Sequence, residues 1–208
     1  PPTAFDPVAP GDSGEAGSTK DRYFLAARAL LALGGSEAVK AAALVERLDL
    51  TKGSFQHHFG GMPGFLAAFA EDWEQTRTAR IAACVSEGNP WRRLEMLNAD
   101  LLMPPDPAET AWRAWAYTDP VVRDAVCRVD QLHDRALATT LARLRDDPAV
   151  EFLAEMTSGL MLGLQQWRPP FEPELAARIA IEWMRRFLRI DAEVCNGEGR
   201  PTLAFRPR

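Results

Sequence analysis

Apolar residues recur at intervals of three and four along most of this chain. The clearest runs are Leu94, Leu97 and Leu101; Ala125, Val129, Leu132 and Ala136; Leu153, Met156, Leu160, Leu164 and Trp167; and Leu175, Ile179, Trp183 and Phe187. This spacing puts the apolar side chains on one face of an α-helix, and no segment sustains the alternation that is typical of a strand. The sequence therefore predicts an all-α protein of about nine helices, with short loops that favour antiparallel packing between neighbours.

Acidic or amide residues placed directly before proline mark where several helices begin. The pairs are Asn89-Pro90, Asp106-Pro107, Asp119-Pro120 and Asp147-Pro148, with Glu172-Pro173 as a weaker example. The side-chain oxygen can accept from the first free amides of a helix, and proline fits the first helical position because no hydrogen-bond donor is lost there. The residue before proline is also pushed towards the extended conformation that a cap needs. We therefore expect five helix starts after residue 88.

The composition is that of an ordinary globular protein. Of the 208 residues, 47% are hydrophobic and 25% are charged, and this length suffices for one domain or two small ones. The formal net charge is -5, so any nucleic-acid-binding surface has to be small and local. The three cysteines, Cys84, Cys127 and Cys195, are far apart and form no CxxC pair, which argues against a disulfide framework or a zinc site and favours a reducing cytoplasm.

Neither a targeting peptide nor a membrane span is predicted. Residues 1–18 are rich in Pro, Gly and acidic residues and lack a basic flank followed by an apolar run, so we expect a flexible tail. The most apolar windows, Phe24 to Leu33 and Val150 to Leu164, contain charges and are shorter than the roughly 20 residues that span a bilayer. Residues 192–208 are rich in Gly, Pro and Arg and are expected to form a second tail, either mobile or an arm against a partner.

Two short helices around a tight turn are predicted near the N-terminus, after a first amphipathic helix from Asp21 to Leu33. The second helix runs from about Glu37 to Leu48, and the turn Asp49-Leu50 leads to Thr51, whose hydroxyl can cap a third helix from Lys52 to His58. This arrangement is a helix-turn-helix, in which the last helix would enter a DNA major groove.

The residues from Leu44 to Gly60 read LVERLDLTKGSFQHHFG. This stretch resembles the DNA-binding domain of the TetR family of transcriptional regulators, and its most specific part is TKGSF followed by His58-Phe59. The family pattern is a Ser or Thr cap, Lys, Gly or Ala, a hydroxyl residue and a hydrophobe, with His or Tyr before Phe. The resemblance covers about residues 20 to 80. It implies a DNA-binding domain over residues 19–62 and a ligand-binding and dimerisation domain over residues 63–191.

The residues of this motif divide into an inner and an outer set. Leu44, Val45, Leu50, Phe55 and Phe59 are apolar at positions that would face inward and set the angle between the helices. The residues expected to meet DNA are Lys20, Lys40, Thr51, Lys52, Gly53, Ser54, Gln56, His57 and His58. Amides, hydroxyls and an ammonium at a helix start suit phosphate oxygens, and glycine lets the backbone approach closely. Lys52, Gly53 and Ser54 are the best placed for base edges.

Several residues depart from the family pattern. Asp49 replaces the usual Gly of the turn, which is tolerable because Asp enters the left-handed conformation more readily than most residues. Gln56 replaces the usual Tyr, Met62 stands where Lys is common, and Ala41 and Ala42 stand where Thr and Arg are common. From residue 20 to residue 62 there are six basic and four acidic residues, a net charge of +2. We therefore expect weak DNA binding per protomer and a shallow salt dependence, with dimerisation supplying much of the specificity.

The middle of the chain is rich in large, adaptable side chains that suit an apolar effector pocket with a few polar orienting groups. The candidate pocket residues are Trp91, Met96, Asn98, Met103, Trp112, Trp115, Tyr117, Gln131, His133 and Met156. Ordinary core packing would explain the same aromatic residues.

The last two long helices, Val150 to Trp167 and Pro173 to Ile190, carry apolar residues on more than one face. Glycine within a helix is unfavourable, so its presence suggests close helix packing. The candidate dimer-interface residues are Ser158, Gly159, Gly163, Trp167, Ile179, Trp183 and Phe187. Packing within one protomer is the alternative.

The leading hypothesis is a cytoplasmic homodimeric repressor that binds a palindromic double-stranded DNA operator and is released by a small apolar molecule. The alternative is a helical small-molecule-binding or protein-interaction module with a degenerate DNA-binding domain, which Gln56, Met62 and the low local charge would suit. An enzyme is not expected, because no nucleophile motif or glycine-rich phosphate loop is present. The adjacent His57-His58 pair points in two directions and lacks a third ligand nearby, so neither a metal nor a cofactor is predicted.

Overall fold

The computed structural model describes residues 18–99, 103–166, 171–197 and 200–206, with side chains as far as residue 190. These residues contain nine α-helices, which confirms the predicted all-α class. The helices are α1 (Thr19–Gly34), α2 (Ala41–Leu48), α3 (Lys52–Phe59), α4 (Met62–Ser86), α5 (Pro90–Leu97), α6 (Pro107–Trp115), α7 (Pro120–Leu144), α8 (Val150–Gln166) and α9 (Pro173–Trp183). None of the helices in this part of the chain is long and apolar enough to cross a membrane.

Four of the five helix starts predicted from proline are confirmed. α5, α6, α7 and α9 each begin at the expected proline, and the first three are capped by the preceding Asn89, Asp106 and Asp119 side chains. α8 begins two residues later than Pro148, at Val150. Asp147 still makes the capping contact, since one of its oxygens accepts from the amide of Ala149 while the other pairs with Arg145.

The second helix is shorter than the sequence indicated. The prediction began at Glu37, but Ser36–Ala38 form a 3-10 turn, Lys40 is extended (φ -125°), and α2 starts at Ala41. This break directs the Val39 side chain into the core, where the residue is only 4% exposed. The free energy gained by burying that apolar side chain outweighs the free energy of continuing the helix, so the predicted start was wrong.

The C-terminal region contains structure that the sequence pattern did not predict. α9 continues as a π-helical turn (Met184–Leu188) and is followed by two antiparallel strands, β1 (Asp191–Gly197) and β2 (Arg200–Arg206). Asp191 pairs with Arg206 in this hairpin, and β2 lies beside α5. Each strand has seven residues, and Gly197 in β1 and Pro201 in β2 belong to residue types that are uncommon in strands. The sequence analysis expected a tail over residues 192–208 and did not include this hairpin.

The buried apolar residues form two clusters that meet along α7. The first cluster joins the N-terminal helices to α6 and the first part of α7, and its largest members are Tyr23, Phe65, Phe69 and Trp112. The second joins α5, the last part of α7, α8 and α9. α6 and α7 share a close-packed core with the helix-turn-helix. A shift of either helix would therefore displace side chains that pack against the helix-turn-helix.

Candidate DNA-binding surface and interhelical cleft

The exposed start of α3 carries the chemistry expected of a phosphate-binding helix end. Thr51 is extended (φ -93°), and its Oγ1 accepts from the Ser54 amide at 3.1 Å. The first amides of an α-helix have no acceptor within the helix. Thr51 satisfies the amide of Ser54, which leaves those of Lys52 and Gly53 at the exposed end of α3.

Gly53 keeps this helix start free of side-chain bulk. A Cβ atom built at Gly53 would meet only the Oγ1 of Thr51, at an ordinary 3.6 Å. Packing within the protein therefore does not require glycine at this position. The missing side chain instead leaves the α3 backbone open to a large partner.

An aromatic cluster behind α3 holds the helix in place. The Tyr23 ring is fully buried and stands edge-on to Phe55 at 5.6 Å and to Phe59 at 5.3 Å. Its hydroxyl donates to Ser54 Oγ at 3.5 Å. The first turns of α1 therefore lie beside α3, and the predicted inward positions of Phe55 and Phe59 are confirmed.

The turn between α2 and α3 confirms the role expected of Asp49. This residue adopts the left-handed conformation (φ 53°, ψ 46°) directly after α2. The amide of Leu50 then donates to the carbonyl of Val45 at 2.9 Å and closes the turn. A residue other than glycine thus occupies a position that favours glycine.

The nine residues predicted to meet DNA lie on or near the outside of this domain. Seven are exposed, namely Lys20, Lys40, Thr51, Lys52, Gly53, Gln56 and His57, and two are half-buried, Ser54 and His58. Lys40 precedes α2 as its cap, 3.9 Å from the Glu37 carboxylate. The His58 ring is turned partly inward, edge-on to Tyr23 at 6.3 Å. Their contacts with DNA stay a prediction.

Glycine is required at the junction of α3 and α4, and the sequence analysis missed this. A Cβ atom at Gly64 would lie 2.0 Å from the carbonyl oxygen of Phe59, which is an impossible contact. The start of α4 is therefore pressed against the end of α3. The Gly60-Gly61 pair just before it, with φ of 65° and 123°, was the available signal for this tight junction.

A partly open cleft of about 230 Å³ lies between α1, α4 and α6. Its inner wall is apolar and consists of Leu31, Phe69, Trp73 and Trp112. Its polar and small lining residues are Arg28, Thr76, Arg77, Arg80, Asp106, Ala108 and Glu109. The sequence analysis placed only Trp112 of these residues in a pocket.

Glu109 on α6 accepts hydrogen bonds from side chains of α4 and of α6 at the edge of the cleft. Its carboxylate accepts from Trp73 Nε1 at 3.0 Å and from Arg77 at 2.6 Å, both on α4. Arg113 donates to the second oxygen at 3.0 Å and binds Asp130 on α7 through two hydrogen bonds of 2.9 Å. Burial alone would lower the pKa of the Arg113 guanidinium, but the hydrogen bonds and charges of Asp130 and Glu109 outweigh it and raise that pKa.

Two further ion pairs connect α4 to its neighbours. Arg28 on α1 contacts Asp72 at 2.9 Å. Arg128 on α7 binds both oxygens of Glu74, at 2.8 and 2.7 Å, and this hydrogen bonding is the main reason that the pKa of Glu74 is lowered. Ion pairs therefore join α4 to α1, α6 and α7.

The first part of the chain matches a known family. Residues 25–69 match the family model described as bacterial regulatory proteins, tetR family. The match begins inside α1, contains the whole helix-turn-helix and ends in the second turn of α4. This segment is therefore similar to the tetR family of bacterial regulatory proteins.

Solved structures of transcriptional regulators share the helical fold of this chain beyond the matched segment. A transcriptional regulator from Saccharomonospora viridis in complex with choline has a TM-score of 0.69 at 16% identity, with 81% of this chain and 96% of that chain covered. A transcriptional regulator from Rhodococcus sp. Rha1 has a TM-score of 0.67 at 20% identity, with 81% of this chain and 97% of that chain covered. A TetR transcriptional regulator from Legionella pneumophila has a TM-score of 0.65 at 14% identity, with 85% of this chain and 98% of that chain covered. These identities establish a shared fold only. No curated protein sequence matches the chain.

The predicted effector residues do not gather around one cavity in the part of the chain that the structure describes. Trp112 is a core residue, and its ring stands edge-on to Trp115 at 5.8 Å. Tyr117 is 88% exposed, because it lies in the turn after α6, and Gln131 and Met156 are also exposed. These last three residues lie on the surface of one protomer, contrary to the pocket positions expected for them.

The polar members of the predicted pocket make contacts within the protein. His133 on α7 lies between α5 and α8, with Nδ1 3.3 Å from Ser158 Oγ and Nε2 3.4 Å from the carbonyl of Leu97. Asn98 is buried and donates to the carbonyl of Leu94 at 2.8 Å. The remaining candidates, Trp91, Met96 and Met103, are half-buried.

α8 carries an exposed stripe that fits a dimer interface. Gly159 and Gly163 are exposed, and a Cβ atom at either would meet nothing within 4 Å. Phe152 is 61% exposed and Met156 is 36% exposed, and helical spacing places all four residues on one face. Ser158 instead faces His133 within the protomer, so its predicted position in the interface is not supported.

The end of the chain's helical part continues this apolar surface. Trp183 is half-buried, donates from Nε1 to Thr157 Oγ1 at 3.0 Å, and stacks on Phe187 at 4.4 Å. Phe187 is 51% exposed, and Ile179 is half-buried on the same helix. Trp167, which was also assigned to the interface, lies outside the described residues.

Proposed function

We propose that this protein is a cytoplasmic homodimeric repressor, which binds a palindromic DNA operator through α3 and leaves it when a small molecule binds. The observation that carries the proposal is the capped, exposed start of α3, supported from behind by a buried aromatic cluster. This geometry presents the amides of Lys52 and Gly53, together with the Lys52 ammonium, to a phosphate backbone. Base contacts from the same turn would then give sequence preference.

The small net charge of the domain determines how tightly one protomer binds. Affinity for DNA grows with the number of phosphates that basic side chains neutralise, because each contact releases counterions. Lys20, Lys40 and Lys52 are exposed here, but Lys40 shares its charge with Glu37. We therefore expect few phosphate contacts per protomer and a correspondingly weak dependence on salt.

Dimerisation supplies the second half-site in this proposal. The stripe of Phe152, Met156, Gly159 and Gly163 on α8 is apolar and narrow, so another helix can approach it closely. Two copies related by a twofold axis would join through this face. Their α3 helices must then reach half-sites whose centres are about 34 to 36 Å apart.

The experiment is selection of bound duplexes from a random DNA pool at low salt, followed by fluorescence anisotropy of the enriched duplex at two salt concentrations. We expect an enriched palindrome whose binding is lost in Lys52→Ala and retained in Arg92→Ala, which removes an exposed cation far along the chain on α5. No enriched sequence and no salt-dependent binding by a folded dimer would overturn the proposal. That result would favour a small-molecule-binding module with a degenerate DNA-binding domain.

A further inference from the structure

We propose that the Gln56 side chain reads an adenine in each half-site of the operator, through two hydrogen bonds in the DNA major groove. This inference rests on the proposed function, because it concerns how α3 recognises the DNA that it binds. It follows from the side chains of α3 that the rest of the protein leaves uncovered.

The eight residues of α3 form four pairs whose members lie about one helical turn apart. Residues at positions i and i+4 share a face of a helix, so the pairs are Lys52 with Gln56, Gly53 with His57, Ser54 with His58, and Phe55 with Phe59. Successive pairs are rotated by about 100° around the helix axis. Each pair therefore faces a different direction.

Two of these pairs face the protein. Phe55 and Phe59 are 3% and 9% exposed and belong to the buried aromatic cluster. Ser54 and His58 are half-buried beside Tyr23 of α1, whose hydroxyl lies 3.5 Å from Ser54 Oγ and whose ring lies 6.3 Å from the His58 ring. These two sides of α3 are therefore less open to a large partner.

The other two pairs form the open face of α3. Lys52, Gly53, Gln56 and His57 are all exposed. Lys52 and Gly53 belong to the first turn, whose free amides suit a phosphate. Gln56 and His57 are thus the side chains that the second turn presents to a partner. If α3 enters the major groove as a recognition helix does, these two side chains come within reach of base edges.

The chemistry of Gln56 matches one base better than the others. Its carboxamide carries an acceptor oxygen and an N–H donor in one plane. Adenine presents the complementary pair in the major groove, because its N6 amino group donates and its N7 accepts. Among the described residues the Gln56 side chain has no hydrogen-bond partner, so no contact within the protein has to be broken. The donor and acceptor of the neighbouring His57 depend on its tautomer, so its residue type selects no base.

A contact between Gln56 and a phosphate is the competing interpretation. An uncharged amide neutralises no phosphate and therefore releases no counterions, so it adds little affinity there. Directed at a base, the same group discriminates between bases by about 5- to 150-fold. Loss of a phosphate contact weakens binding to all sequences alike, whereas loss of a base contact removes the preference at one position.

The test is selection of bound duplexes from a random pool by the full chain and by its Gln56→Ala and Gln56→Lys variants. We expect one adenine in each half-site selected by the parent protein, and its replacement should weaken binding at least fivefold in anisotropy. Gln56→Ala should lose the preference at that position and keep the others. Gln56→Lys should select guanine there, because lysine donates to O6 and N7 of guanine.

The matched control is Gln75→Lys, which should still select the adenine. It adds the same charge at an exposed glutamine of α4, about 20 Å along that helix from its start at Met62. Melting curves show that each variant folds, as expected for substitutions at exposed positions.

A change in the DNA tests the same contact without altering the protein. 7-Deazaadenine lacks the N7 acceptor, so placing it at the selected position should weaken binding of the parent protein by about threefold or more. Binding of Gln56→Ala should not change, because that variant has no amide to donate to N7.

Three results would overturn the inference while the proposed DNA binding stands. They are an enriched duplex to which Gln56→Ala binds with the base preferences of the parent protein, a loss in Gln56→Ala that is equal for all duplexes, and an equal effect of 7-deazaadenine on both proteins. A pool from which the folded parent protein enriches no duplex would overturn the proposed function and this inference together.

Discussion

Replacing Gly53 with leucine separates the stability of α3 from its proposed use in DNA binding. Gly53 is helical and exposed, and the nearest atom to an added Cβ is 3.6 Å away, so a side chain enters without a clash. Leucine is a better helix former than glycine by up to about 0.8 kcal/mol, and we expect about 0.5 kcal/mol here because the first turn frays. With about 2 to 4 °C per kcal/mol for a chain of this size, the melting temperature should rise by about 1 to 2 °C.

The same substitution should weaken DNA binding at least tenfold, or about 1.4 kcal/mol, because the new side chain holds the DNA backbone away from the start of α3. The measurements are thermal unfolding by circular dichroism and anisotropy with the selected duplex. Gly53→Ala is the matched control, since it gains similar helix stability with one methyl group and should keep most of the affinity. A Gly53→Leu variant that melts higher and binds DNA as before would refute the reasoning that this turn approaches DNA.

Three further outcomes follow from contacts of α4 and α8. Gly64→Ala should lower the free energy of unfolding by about 2 kcal/mol, measured by urea denaturation, because the new Cβ would overlap a carbonyl oxygen of α3 at 2.0 Å; an unchanged midpoint would contradict the close contact. Phe152→Glu combined with Met156→Glu should give a folded monomer by light scattering, because both residues lie on the exposed stripe, whereas a persistent dimer would place the interface elsewhere. Arg128→Gln should return the pKa of Glu74 towards its ordinary value in a carboxyl NMR titration. That pKa is lowered in the folded protein, so the ion pair contributes to the free energy of unfolding above about pH 4.3, and this contribution is lost as the pH falls through the folded pKa. Arg128→Gln should therefore be less stable than the parent protein above that pH and equally stable in acid. A difference that persists in acid would contradict this linkage.

Helix starts could be predicted from sequence wherever the signal is local. Asn89, Asp106 and Asp119 each place a side-chain oxygen next to the amides that follow, so the residues that form the cap are neighbours in sequence. The left-handed conformation of Asp49 is equally local, because it depends on the residue's own steric limits. The predicted start of α2 was wrong for the opposite reason, because the burial of Val39 depends on a core formed by residues that are distant in the sequence.

The candidate cleft could not be predicted because its parts come from separate regions of the chain. Glu109 bonds to Trp73 and Arg77, which lie 36 and 32 positions away in the sequence. Charged residues on helices ordinarily lie on solvent-exposed faces, so their types alone did not indicate this contact. Aromatic content alone led to Tyr117, which is 88% exposed, and did not single out Trp73, which lines the cleft. Residue type thus led to the prediction of a ligand-binding region in the middle of the chain, but it did not indicate which side chains contact one another.

α4 connects the end of α3 to three other helices of this protein. Its first turn contacts the last residue of α3 through Gly64, and its middle carries Asp72, Trp73, Glu74 and Arg77, which bond to α1, α6 and α7. Packed helices move between discrete arrangements rather than deforming continuously, so an exchange of partners at this ionic cluster favours one arrangement over another. A ligand shifts that balance only by binding the two arrangements differently. Arg28 and Arg77 each have a carboxylate partner in the present arrangement, so a rearrangement of α4 would exchange these ion pairs.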